Sequence, residues 1–300
     1  MRGYNSGEYD HLFHDLDCTP KPLTDSVVEG IRHGHKNVTR YRVKTIKCGD
    51  VIEIEVYPLH KSYDDIRTAK SKQTRETQRK VNLRNARKEF SRKITTNFTK
   101  NDLHVTLTYE DSFLPTKADS LPDEKRALRD IQNFMRRANN YHKKHGLGKL
   151  KYAYVIEYAT ADNKKTRVHH HVVMSGHMSR ETIKSLWTKG HVRVEELTPT
   201  NGSLEGLALY LTKQGTKKHS KRWGCSRGLK KPIVTVSDHK LSKRKVERLA
   251  RDIDTHGSQI LTRAYQGYAL DKIDIRTSEW TTGAYIYATM YKTQEGKRYG

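Results

Sequence analysis

Between residues 103 and 197 the chain switches regularly between two hydrophobic periods, and nothing else in it restricts the fold so strongly. A period of two predicts a strand with one buried face, and a period near 3.6 predicts an amphipathic helix. "LHVTLTY" (103–109), "KYAYVIEY" (151–158), "VHHHVVM" (168–174) and "HVRVEEL" (191–197) follow the first. "PDEKRALRDIQNFMRRANNYHKKHG" (122–146) and "SRETIKSLWTKG" (179–190) follow the second. Leu128, Ile131, Phe134, Met135 and Ala138 line one side of the longer helix, and Ile183, Leu186 and Trp187 one side of the shorter. Pro122, Asp123 and Glu124 mark the start of the longer helix and Gly146 its end; Ser179 caps the shorter, which Gly190 closes. The order β-α-β-β-α-β is that of a split βαβ, ferredoxin-like core in an α+β chain. Both crossover helices are then expected on one face of an antiparallel sheet, leaving the other face free for a site. One more helix, "SLEGLALYLTKQ" (203–214), follows with Ser203 as its N-cap.

The core, taken as residues 101–216, has extensions on both sides. Residues 1–40 are polar and patternless and read as a loose arm. Residues 41–100 read as a hairpin ("YRVKTIK", a "CGD" turn, "VIEIEVYPL") and a basic helix. Residues 217–300 hold a basic segment, a short helix in "SKRKVERLARDI" and two strands, "YALDKIDIR" and "AYIYATMYK". Periodicity does not say whether those strands pair with the hairpin.

Charge narrows the class of partner. Lys and Arg number 58 against 34 acids, a net +24, which points to a polyanion and above all to nucleic acid. Two segments concentrate it. Residues 67–100 carry twelve Lys/Arg and two Glu, with Val81, Ala86, Phe90, Ile94 and Phe98 spaced as one helical face. Residues 214–231 carry seven Lys/Arg and no acid, and Arg222, Lys230 and Lys231 are its candidate phosphate contacts. No stretch of about 18 apolar residues suggests a membrane span. The first residues lack the apolar core of a signal peptide. The three cysteines (Cys18, Cys48, Cys225) have no zinc or disulfide spacing. A cytoplasmic protein is expected, with no membrane partner and no small-molecule substrate.

Sorting each strand by parity sends the bulky apolar residues to one face and gathers His104, Thr106, Thr108, Glu157, His169, His171, Arg193 and Glu195 on the other. A turn centred near Asn163 sets Glu157 opposite His169; a slip of one residue would part them. Two imidazoles in a His-x-His strand point the same way, about 7 Å apart at the backbone, and can converge on one ion. With Glu157 they make a two-His, one-carboxylate set suited to a divalent ion. His170 points the other way. Thr106, Thr108 and Arg193 are candidate DNA contacts on the polar face. In the last helix, Tyr210 and Lys213 stand at i and i+3, off the packed side. A tyrosine beside a lysine suits phosphoryl transfer, the phenol as nucleophile and the ammonium as a charge partner.

"HVTLTY", "HHHVVM" and "YLTK", in this order, resemble the three motifs of the HUH-superfamily endonucleases, whose fold is the same split βαβ core. The similarity is closest to single-tyrosine rolling-circle replication initiators of phages and plasmids, including those related to the filamentous-phage initiator. It runs from about residue 41 to the end and is strongest over 103–213. The resemblance implies that Tyr210 attacks a scissile phosphate in single-stranded DNA, leaving a 5′-phosphotyrosine link and a free 3′-OH. It implies that His169, His171 and Glu157 hold Mg²⁺ or Mn²⁺, that Lys213 neutralises the substrate, and that the partners are single-stranded DNA or an origin hairpin and host replication proteins. The middle slot of the second motif, ordinarily apolar, is His170 here, and position 214 is Gln214 where a second tyrosine would stand. Two other readings stay open: a relaxase or transposase of the same superfamily, and a non-catalytic binder of single-stranded nucleic acid.

Overall fold

A computed structural model of the chain describes residues 38–60, 75–116, 122–159, 165–212, 223–251, 258–277 and 283–294. Of the expected polar arm, residues 1–37 lie outside the described residues, and Val38–Arg40 open the first strand. In chain order the elements are β1 (Val38–Cys48), β2 (Val51–His60), α1 (Arg75–Asn97), β3 (Leu103–Thr108), α2 (Glu124–Lys144), β4 (Tyr152–Ala159), β5 (Lys165–Met174) and α3 (Arg180–Leu186). Then come β6 (Val192–Glu196), α4 (Glu205–Leu211), β7 (Trp223–Cys225), β8 (Ile233–Ser237), α5 (Lys243–Arg251), α6 (Ser258–Ala264), β9 (Tyr268–Thr277) and β10 (Ala284–Lys292). They form an α+β chain with two antiparallel five-stranded sheets. The chain divides into two compact units: Met1–Ala86 with Pro232–Gly300, and Arg87–Lys231.

The second unit carries the sheet ordered β6-β3-β5-β4-β7, antiparallel throughout. Its first four strands have the order of a split βαβ core. β7 adds a short edge strand beside β4 that the sequence did not signal. One face packs on α2 and α3, with Val105, Leu107, Ile131, Phe134, Ile156, Val172 and Trp187 buried together. Each such side chain contributes about 1.5–3 kcal/mol on burial, so this layer fixes which way every strand faces.

The opposite face is not left free, as the sequence reading had it. Phe90, Ile94 and Phe98 of the second half of α1 and its exit, with Leu204, Ala208 and Leu211 around α4, pack over Ala153, Val155 and Val173. An apolar stripe on a basic helix has to be buried somewhere, and the small, branched side chains of this face receive it. What stays open is the polar end, near the start of β5.

Asp123 and Ser179 cap their helices as expected, accepting from the backbone N–H of Arg126 and Thr182. Ser203 does not occupy the N-cap of α4. Leu204 holds that position, and the Ser203 hydroxyl accepts from the Glu205 amide instead. α3 stops at Leu186 rather than running on to Gly190. The Trp187 indole turns in and donates to the Thr108 carbonyl at 2.8 Å. Gly190 (φ 153°) then passes the end of β3 so closely that a Cβ would lie 2.4 Å from the Thr108 carbonyl oxygen.

The first unit carries the sheet ordered β8-β1-β2-β10-β9. β1 and β2 make the expected hairpin, turning at Gly49 (φ 62°) and Asp50. The C-terminal strands do join it, since β10 lies beside β2 from Ile286 opposite Val56 to Tyr291 opposite Val51. Val246, Leu249 and Ala250 of α5 and Leu261 of α6 pack with Val43, Ile54 and Ile286. No described helix is long and apolar enough to cross a membrane.

Candidate metal centre and tyrosine

β5 is the central strand of its sheet, and its register places the polar residues. Glu157 of β4 lies opposite His169, and Thr106 of β3 opposite His171. The Glu157 carboxylate therefore meets both imidazoles, its Oε2 standing 3.5 Å from His169 Nε2 and 3.3 Å from His171 Nε2. One ligand atom from each of the three residues lies within 4.8 Å of the others.

Two features make this donor set fit a cation. His169 Nδ1 lies 2.8 Å from the Arg167 carbonyl, which fixes the proton on Nδ1 and leaves Nε2 bare toward Glu157. His171 Nε2 is buried without a hydrogen-bond partner. A buried lone pair with nothing to accept from costs about 1–3 kcal/mol, and a cation at that point would remove the penalty. Two nitrogens and one carboxylate are the ligands of an ion that keeps open positions.

Behind His171 stands a second histidine to which the sequence reading assigned no role. His104 Nε2 lies 3.2 Å from His171 Nδ1, with the two rings stacked. Its other nitrogen lies 3.8 Å from Glu195 Oε2. Burial first, then the neighbouring His171, pushes the His104 pKa down to about 4, and Glu195 opposes this. His104 is thus neutral near pH 7 and able to accept from His171 Nδ1–H, which holds His171 Nε2 free. Its place on the polar face was legible; its function needed β3 to be the neighbour of β5.

His170 faces the helices. It is fully buried, and burial, then His169 and His171, pushes its pKa down to about 3. The Tyr109 hydroxyl donates to Asp130 at 3.2 Å, so His170 Nε2–H must donate to the same phenolic oxygen at 2.8 Å. Lys189 closes the chain 3.3 Å from Asp130. Burial and the Asp130 charge push the Tyr109 phenol upward, which keeps it a neutral donor.

Tyr210 comes from α4 to the open edge of this group. Its ring is half exposed and edge-on to His171, with centroids 5.7 Å apart. Leu204, Ala208 and Leu211, buried on the other side of α4, turn it outward. Lys213 and Arg222 lie outside the described residues.

The remaining polar candidates divide. Thr106 Oγ1 is 3.3 Å from His171 Nδ1 and so belongs to the histidine's surroundings. The Thr108 hydroxyl donates to the His191 carbonyl. Arg193 is exposed and pairs with Glu195 at 2.7 Å. Lys230 and Lys231 are exposed; the Asn97 side chain holds the Lys230 backbone through both its amide and its carbonyl, at 2.8 Å each.

Comparison with known proteins gives one match. No curated protein and no solved structure is matched. Residues 102–219, from the start of β3 to just beyond α4, match the model of a family of replication-associated proteins of the ORF2 type. That stretch contains every residue of the group above, and its similarity supports a role in DNA replication.

Proposed function

We propose that this chain nicks and rejoins single-stranded DNA at a specific site through a 5′-phosphotyrosine intermediate, as an HUH-type initiator of rolling-circle replication in a phage, plasmid or similar element. The observation that carries the reading is the convergence of Glu157, His169 and His171 beside the outward-facing Tyr210. The match to a replication-associated family supports it. Its partners in this reading are single-stranded DNA or an origin hairpin and host replication proteins, in the cytoplasm.

A divalent ion such as Mg²⁺ or Mn²⁺ in the His169–His171–Glu157 set would supply Lewis-acid polarisation of the scissile phosphate. Arg167 and His104 keep the two imidazoles in the tautomer that leaves both Nε2 atoms bare. Tyr210 Oη forms the new bond to phosphorus while the bond to O3′ breaks. The phenol gives up its proton and the departing 3′ oxygen takes one up, so no water is consumed and the phosphodiester energy is kept for rejoining. Lys213, one turn beyond Tyr210 in the sequence, is assigned the neutralisation of phosphate charge.

The test is to incubate the protein with Mn²⁺ and a pool of single-stranded oligonucleotides and to map any DNA–tyrosine adduct by mass spectrometry. An adduct on Tyr210 that is absent with EDTA and absent in Tyr210→Phe is expected. An adduct that persists in Tyr210→Phe removes Tyr210 as nucleophile. Metal-independent binding with no adduct on any oligonucleotide favours a non-catalytic binder.

A further inference from the structure

The first unit lies outside the family match, yet it holds the most uniformly cationic surface among the described residues. Lys240, Arg244, Lys245, Arg248 and Arg263 line a groove of about 420 Å³, with Ile260 in its wall. Arg244, Lys245 and Arg248 stand at i, i+1 and i+4 of α5, opposite the side that buries Val246, Leu249 and Ala250. Arg263 reaches the groove from α6, and Lys240 from the chain before α5, its ammonium 3.7 Å from the centre of the Tyr265 ring. No carboxylate lines the groove.

The rest of this unit handles its cations differently. Arg42 is held by both oxygens of Asp238, Lys44 faces Glu55, and Arg276 pairs with Asp274. Glu247, the acid of α5, acts on the Tyr41 phenol on the other side of the helix. Arg244, Lys245, Arg248 and Arg263 make no ion pair among the described residues. Five like charges gathered on two helices repel one another, and the arrangement is stabilised by whatever anion enters. Five positive charges exceed what a single phosphate would neutralise, and a polyanion meets them all while releasing its counterions.

We propose that the α5–α6 groove is a second DNA site, separate from the tyrosine site, that grips backbone phosphates without reading bases. The inference takes from the function proposed above only the identity of the polyanion; it does not depend on the nicking chemistry. Five cations on exposed side chains, with a tyrosine under one, suit the sugar-phosphate backbone of either duplex or single-stranded DNA.

The test measures anisotropy of labelled duplex and labelled single strand with the full chain in EDTA, where no nicking occurs. In Arg244→Glu/Arg248→Glu, affinity at 100 mM salt is expected to fall by about tenfold or more, and the slope of log K against log [salt] to shrink by roughly two. Loss for one DNA form and not the other identifies the occupant. Adduct formation on a short oligonucleotide at saturating protein is expected to be unchanged. If circular dichroism shows the double reversal to be unfolded, Lys245→Gln/Arg263→Gln takes its place, with a severalfold loss expected. Unchanged affinity and slope for both DNA forms in a folded variant overturn the site. So does a groove-dependent binding to phosphatidylserine vesicles with DNA binding unaltered. If the wild type forms no adduct under any condition, the nickase reading fails while the groove is still decided by the EDTA measurements.

Discussion

A single hydrogen bond decides how one imidazole presents itself, and His104 is where this chain places that control. His171 has one nitrogen toward Glu157 and the other toward His104, which Glu195 backs at 3.8 Å. Removing such an outer partner ordinarily weakens a metal site by about 10–100-fold. His104→Ala is therefore expected to weaken Mn²⁺ binding by about that factor in titration calorimetry, with the far-ultraviolet spectrum unchanged. His104→Gln, whose amide oxygen can accept in place of Nε2, should recover part of the loss. Equal Mn²⁺ affinity in wild type and His104→Ala would leave His104 a packing residue. Strand parity had put His104 on the polar face, but parity is a property of one strand. The contact with His171 comes from the lateral pairing of β3 with β5, which periodicity does not encode.

β5 shows what can be read from an element and what cannot. Its alternation divided three adjacent histidines correctly between two faces: His170 lies with Tyr109 and Trp187 under the helices, and His169 and His171 lie with Glu157. The register across β4 was legible too, because the short connection after β4 leaves few ways to close an antiparallel pair. Elements whose partners are distant in sequence were not legible. β7 is three residues inside a basic run, β8 and α6 are short, and the stripe on α1 says that a face is buried without saying against what. The two faces of β5 can be separated experimentally. His170→Leu keeps an apolar group of similar volume, removes the unpartnered Nδ1 and leaves Tyr109 its bond to Asp130. Its cost should stay within about 1.5 kcal/mol, a few degrees in thermal midpoint, with adduct formation within a fewfold of wild type. A stable His170→Leu protein that forms no adduct would place the chemistry on the wrong face of the strand.

At the scale of the whole molecule, the excess of 24 positive charges and the three-residue metal-binding group should be separable, because they do different things to DNA. Affinity for a polyanion comes from cations that displace its counterions, and with six to ten phosphate contacts it falls by about 10³–10⁵-fold between 50 and 200 mM salt. The Glu157–His169–His171 set adds no lasting positive charge: both imidazoles face a carboxylate, and His169 Nδ1 is committed to a backbone carbonyl. His169→Ala/His171→Ala is accordingly expected to bind single-stranded DNA in EDTA within about twofold of wild type, with the same salt slope, while forming no adduct when Mn²⁺ is restored. Anisotropy across a salt series, paired with adduct mapping, reads both quantities from one preparation. If the double variant loses DNA affinity in EDTA, the histidines contact the nucleic acid themselves. The polar end of the sheet would then be a binding surface, and the metal would have no part in it.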